Sequence, residues 1–235
     1  MQLPTKKSSK DEIITRMKKM AAQDADWRSG KTFSLVYCGG DELLSLVKEA
    51  YTMFMSENGL SPLAFPSLRR FENEVVSMTA KLLGGGAAAS GSMTSGGTES
   101  ILMAVKTARE KARAERPEVK SPNMVLPITA HPAFEKAAHY FSVDAVHASV
   151  DESFRADVEA ARKAVDDNTI LMVGSAPAYP HGVVDPITGL AAVADERGIP
   201  FHVDACLGGF LLPWVRRLGY DIPPFDLSVP GVTSI

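Results

Sequence analysis

From residue 123 onward the chain alternates short apolar runs with amphipathic stretches, and that alternation leaves few architectures open. The runs 123–128, 143–148, 169–175 and 200–205 have strand length, while 132–141, 155–166 and 187–197 carry helical spacing. Apolar strands separated by helices read as a mainly parallel sheet with helices on both faces. Ligands of such sheets sit at the carboxyl ends of the strands. Asp204 and Ser175 occupy two of those ends, and Thr129 and His131 lie just past a third.

Three further helical patterns precede this region. Residues 11–23 carry Ile13, Met17, Met20 and Ala21, and residues 41–57 carry Leu43, Leu44, Val47, Tyr51 and Phe54 behind the first-turn acid Asp41. A breaker, Asn58-Gly59-Leu60-Ser61-Pro62, leads to a third helix over 67–83, with Ser67 as candidate N-cap and Gly84-Gly85-Gly86 as its stop. A fourth is expected over 97–113. The expected division is a helical segment over 1–83 and an α/β region over 84–235. At 235 residues, with 45% hydrophobic and 23% charged content, the chain can bury a large core.

A net charge of −3 gives no support to a nucleic-acid partner. Arg16, Lys18 and Lys19 read as the solvated face of a helix. No apolar run approaches the ~20 residues of a bilayer span, and Met1-Gln-Leu-Pro-Thr-Lys-Lys7 lacks the apolar centre of a secretory signal. Cys38 and Cys206 are far apart, which fits reduced thiols and a cytoplasmic location.

The run Ile199-Pro-Phe-His-Val-Asp-Ala-Cys-Leu-Gly-Gly-Phe210 places one carboxylate, Asp204, inside an apolar strand pattern. An ionised Asp there is costly unless a cation or hydrogen-bond donors meet it. No metal-ligand cluster accompanies it, so a cationic organic cofactor is one reading and a cap on the following turn is the other.

The segment Met93-Thr-Ser-Gly-Gly-Thr-Glu-Ser-Ile-Leu-Met103 runs from a small-residue loop into a helix, where free amides and the hydroxyls of Ser95 and Thr98 suit a phosphate. It is neither a dinucleotide fingerprint nor a P-loop; the alternative is a Thr98 helix cap. His131 could stack on an aromatic ligand or simply be a surface residue. Ser175 could donate to a ligand oxygen or stabilise a turn. His139, His147 and His181 lack partners at zinc-ligand spacing, and no G-x-S-x-G elbow supports a hydrolase. Together a phosphate cradle, a stacking imidazole, a hydroxyl and a buried carboxylate at one sheet edge match pyridoxal 5′-phosphate, whose protonated ring serves as an electron sink.

The stretches Thr94-Ser-Gly-Gly-Thr-Glu-Ser-Ile-Leu-Met-Ala104 and His202-Val-Asp-Ala-Cys-Leu-Gly-Gly-Phe-Leu211 resemble the pyridoxal-phosphate-dependent group II decarboxylase superfamily, specifically its sphingosine-phosphate lyase branch. Phe65-Pro-Ser-Leu-Arg69, Pro180-His-Gly-Val-Val-Asp-Pro186 and Phe225-Asp-Leu-Ser-Val-Pro-Gly-Val-Thr-Ser-Ile235 add to the likeness, which runs from about Trp27 to Ile235. The resemblance implies the large α/β domain of fold type I (aspartate aminotransferase-like), active as a homodimer with residues 1–83 including a dimer arm. It implies that Asp204 pairs with the pyridinium nitrogen, that His131 stacks on the ring and that Gly97 and Thr98 hold the phosphate. Ser175 and His202 would lie near the ring hydroxyl, and Asn58 would reach the neighbouring site.

Ser61 stands where the family keeps a His in an Asn-Pro-Leu-His-Pro loop. The family's Schiff-base lysine, in a Thr-His-Lys motif, is expected just after Ile235, so the chain reads as truncated before that lysine and the small C-terminal domain. The implied activity is carbon–carbon cleavage of phosphorylated long-chain amino alcohols. Amino-acid decarboxylation is the alternative within the superfamily, and a non-catalytic fragment or pseudoenzyme is the alternative outside it.

Overall fold

The computed structural model describes residues 3–32 and 35–235, which form two compact units, 1–57 and 58–235. The first contains helices α1 (Lys10–Met20) and α2 (Asp41–Met53), neither of which buries a residue. Helix α1 opens on a capping box: Ser9 Oγ accepts from Glu12 N at 3.2 Å, and Ser9 N donates to Glu12 Oε2 at 2.7 Å. Arg16, Lys18 and Lys19 are exposed, as a solvated face requires.

The second unit begins with α3 (Pro66–Leu82) and α4 (Gly97–Glu115), then alternates strand and helix. In order these are β1 (Asn123–Pro127), α5 (Ala133–Phe141), β2 (Asp144–Ala148), α6 (Val158–Ala164), β3 (Thr169–Ser175), α7 (Ile187–Glu196), β4 (Phe201–Asp204), α8 (Leu212–Arg217) and β5 (Val232–Ser234). All neighbouring strands pair in parallel, in the order β2-β1-β3-β4-β5. That order reverses direction between β1 and β3, which creates a crevice at their carboxyl ends.

Strand side chains alternate between two apolar layers. Met124 and Leu126 of β1 pack with α4 and α5, whereas Val125, Met172, Phe201 and Val203 pack with α6 and α7. The ring of His202 meets Phe134 of α5 edge-on at 6.1 Å, so His202 faces the α4–α5 layer. Two-residue periodicity puts Asp204 on that same face.

Several boundaries differ from those expected of the sequence. The cap of α3 is Phe65 with Pro66 in the first turn, and no side chain caps it, so Ser67 is a helical residue. Helix α6 starts late because Val150 and Ala156 form an antiparallel bridge first. Asp157 then caps the helix, accepting from Glu159 N at 2.9 Å and Ala160 N at 3.1 Å.

Candidate active site

Helix α4 begins beside the loop that follows β4. Its N-cap, Gly96, has φ of 152° and offers no side chain, so no side chain caps the first amides of this helix. A Cβ on Gly97 would stand 2.7 Å from Cys206 Sγ, which places the helix start against the residue two beyond Asp204. The hydroxyl of Thr94 stays within the loop, donating to Gly96 O at 3.1 Å and sharing a 2.7 Å hydrogen bond with Ser100. Glu99 accepts from Ser95 N at 2.6 Å, and its bonds with Ser95 hold its carboxyl below the usual range. Thr98 is exposed in the first turn and is not the cap.

Asp204 closes β4, half-buried, and pairs in register with Ser175 at the end of β3. Its Oδ1 accepts from Cys206 N at 3.1 Å; among the described residues nothing donates to Oδ2. Burial pushes its pKa up, opposed by that hydrogen bond and by the nearby His131. The cap reading and the ligand reading therefore coexist, one on each oxygen. The Cys206 thiol is pushed up by burial and by Asp204, so it is a poor thiolate.

His131 is exposed, and its Nδ1 accepts from Ala133 N at 3.1 Å. In the same turn the hydroxyl of Thr129 is buried without a partner among the described residues. His202 is buried, and its Nδ1 bonds Ser234 Oγ of β5 at 2.9 Å. Burial lowers its pKa to about 4, so its ring is neutral at neutral pH. Ser175 is buried at the crevice, and no hydrogen bond to its hydroxyl is made among the described residues. Gly208 keeps this edge closed, since a Cβ there would meet Ala176 O at 1.9 Å.

The loop after β4 therefore joins Asp204 to Gly97, and the β3–β4 register joins it to Ser175. The field of His131 reaches the same carboxylate. Asn58 is not drawn into this group: it is exposed, and its Oδ1 accepts from Leu60 N at 3.1 Å. Ser234 and Asp185 were not singled out from the sequence. Asp185 carried a readable signal, a carboxylate directly after Val183-Val184, the same anomaly that marks Asp204.

Residues 1–231 match the pyridoxal-dependent decarboxylase conserved domain. The chain belongs to the pyridoxal-dependent decarboxylase family. It is 49% identical over 232 residues to a sphingosine-1-phosphate lyase of Arabidopsis thaliana, and 46% identical over 237 residues to one of Dictyostelium discoideum. Those alignments cover 95% and 99% of this chain but only 42% and 44% of the relatives, so it spans under half their length. The solved sphingosine-1-phosphate lyase of Burkholderia pseudomallei superposes with a TM-score of 0.89 at 41% identity, over 99% of this chain and 55% of that one. The architecture is thus that of the fold type I large domain.

Pyridoxal phosphate is the cofactor of this family, and the residues present fit it. The uncapped helix start suits a phosphate. The half-satisfied carboxylate of Asp204 suits a protonated pyridine nitrogen, and the uncommitted Ser175 hydroxyl suits a ring oxygen.

Proposed function

We propose that the whole protein is a pyridoxal-phosphate-dependent carbon–carbon lyase. It would cleave phosphorylated long-chain amino alcohols to an aldehyde and phosphoethanolamine. The observation that carries this reading is the high identity to sphingosine-1-phosphate lyases across nearly all of the chain. In the reaction the substrate hydroxyl loses its proton, the bond between the carbinol and amine-bearing carbons breaks, and the amine-bearing carbon is reprotonated.

Bound pyridoxal phosphate supplies an electron-accepting ring for the charge that develops beside the substrate nitrogen. The chain's own residues hold that ring. The first amides of α4, with Gly97 and Thr98, would bind the phosphate, and His131 would stack on the ring. Asp204 would keep a proton on the ring nitrogen, because burial makes its charge costly unless a cation meets the carboxylate. Ser175 and the neutral His202 would lie near the ring hydroxyl. Strand β5 runs parallel beside His202, so a lysine shortly after Ile235 would enter at this same edge.

We further propose that the protein works as a homodimer in the cytoplasm, with Asn58 reaching the neighbouring site. Support comes from α2 and α3, which bury nothing yet expose Leu43, Leu46 and Val47 and Val75 and Met78 respectively. Two free thiols fit a reducing compartment. Among the described residues no helix is long and apolar enough to cross a membrane.

The full-length enzyme, given a phosphorylated amino alcohol beside a panel of acidic and aromatic amino acids, should release aldehyde from the former alone. Carbon dioxide without aldehyde would instead establish the decarboxylase reading.

A further inference from the structure

Strand β3 loses its β1 neighbour before it ends. The β1–β3 register closes at Val125–Met172, whereas the β3–β4 register continues to Ser175–Asp204. Met172 and Ala176 send their N–H groups to the β4 side, to Pro200 O just before that strand and to Asp204 O at its end, each at 2.9 Å. By the two-residue alternation of a strand, the peptide groups of Ser175 point the other way, into the crevice where β1 has departed. A buried N–H and C=O left there would be unsatisfied.

Asp185 fills that gap. Its Oδ2 accepts from Ser175 N at 2.8 Å, and its own N–H donates to Ser175 O at 3.0 Å. Its Oδ1 accepts from Ala156 N at 2.9 Å, tying in the turn between residues 150 and 156. The side chain is fully buried, at 0% exposure. One residue thus replaces the missing strand for Ser175.

We propose that Asp185 is a positioning residue, which fixes the end of β3 so that the Ser175 hydroxyl is set for the cofactor ring before the cofactor arrives. It touches neither substrate nor ring and acts through the Ser175 backbone. The proposal rests on the reading that Ser175 faces the ring hydroxyl. Asp185→Asn isolates the role, because its amide group sets a donor against one of the two N–H donors that the carboxylate accepts.

The test is an absorbance titration with pyridoxal phosphate of the full-length protein carrying Asp185→Asn, Ser175→Ala or both. Asp185→Asn should weaken cofactor binding at least tenfold and shift the bound absorbance band. Ser175→Ala should weaken it too, and the double variant should match Asp185→Asn within about twofold. Normal affinity and spectrum in Asp185→Asn beside a weakened Ser175→Ala overturn the role of Asp185 alone. Normal binding by Ser175→Ala overturns the Ser175 assignment on which it rests, and independent losses in the double variant show that Asp185 does not act through Ser175. Should Asp185→Asn fail to fold, amide hydrogen exchange on the wild-type protein decides. Equal protection of the Ser175 amide with and without cofactor is expected, and protection that appears only with cofactor overturns the proposal.

Discussion

His202 shows how burial alone sets a protonation state. Its pKa drops to about 4 from an ordinary 6.5, and its Nδ1 is held by Ser234. In the unfolded chain the imidazole protonates as pH falls through 6.5, while in the folded protein it stays neutral down to about 4. The unfolded state therefore binds more protons across that window. Stability present above it is lost as pH falls, by up to ~3 kcal/mol for the pKa difference cited. The raised carboxyls of Asp185 and Asp204 act in the opposite sense, since the folded state holds their protons more tightly. Urea unfolding midpoints of the whole protein across this range should fall with pH, and His202→Gln should flatten the fall. Equal slopes in the two proteins would count against the buried neutral ring. The sequence exposed Asp204 because a carboxylate interrupts an apolar run. It did not expose the partnership of His202 with Ser234, which lies across a strand pairing between residues 32 apart.

At the scale of elements, legibility followed the strength of the local signal. The run 169–175 became β3 without change, because every one of its residues is buried and its length suits a strand. Helix α4 began at Gly97 as expected. Strand β5 and helix α8 were not anticipated. The first is only Val232–Ser234 after Pro230-Gly231, and the second carries Pro213 in its first turn. Both depend on neighbours more than on their own pattern. Helix α6 is shorter than its periodicity implied because the turn over 150–156 takes the residues before Asp157. Asp157→Ala should remove a cap worth about 1 kcal/mol, read as a lower denaturation midpoint without loss of cofactor binding. An unchanged midpoint would show that packing under α6, not its cap, sets where it starts.

For the whole molecule, one parallel sheet gathers residues that are distant in sequence. Gly97, His131, Ser175 and Asp204 come to one edge because each lies at a carboxyl end of a strand or in the loop packed against it. The convergence of His131, Ser175 and Asp204 was legible from alternation, whereas Gly97 was reached only through its small-residue loop and the family resemblance. The bonds of Asp185 to Ser175 were not legible, because they appear only once β1 is seen to diverge from β3. Asn58 reflects a different limit, since the contact proposed for it lies across a subunit interface, which one chain does not contain. Sedimentation of the full-length protein should give twice the chain mass, and a charge in place of Val75 or Met78 on α3 should shift it toward the monomer. A monomeric wild-type protein would contradict the homodimer proposal.

The proposed pairing of Asp204 with the cofactor's ring nitrogen is tested most directly by the nitrogen-15 resonance of ring-labelled pyridoxal phosphate bound to the full-length protein. A protonated nitrogen in the wild type that becomes unprotonated in Asp204→Ala, with turnover lost by ~100-fold or more, is the predicted result. An unprotonated nitrogen in the wild type, or a resonance that Asp204→Ala leaves in place, would contradict it.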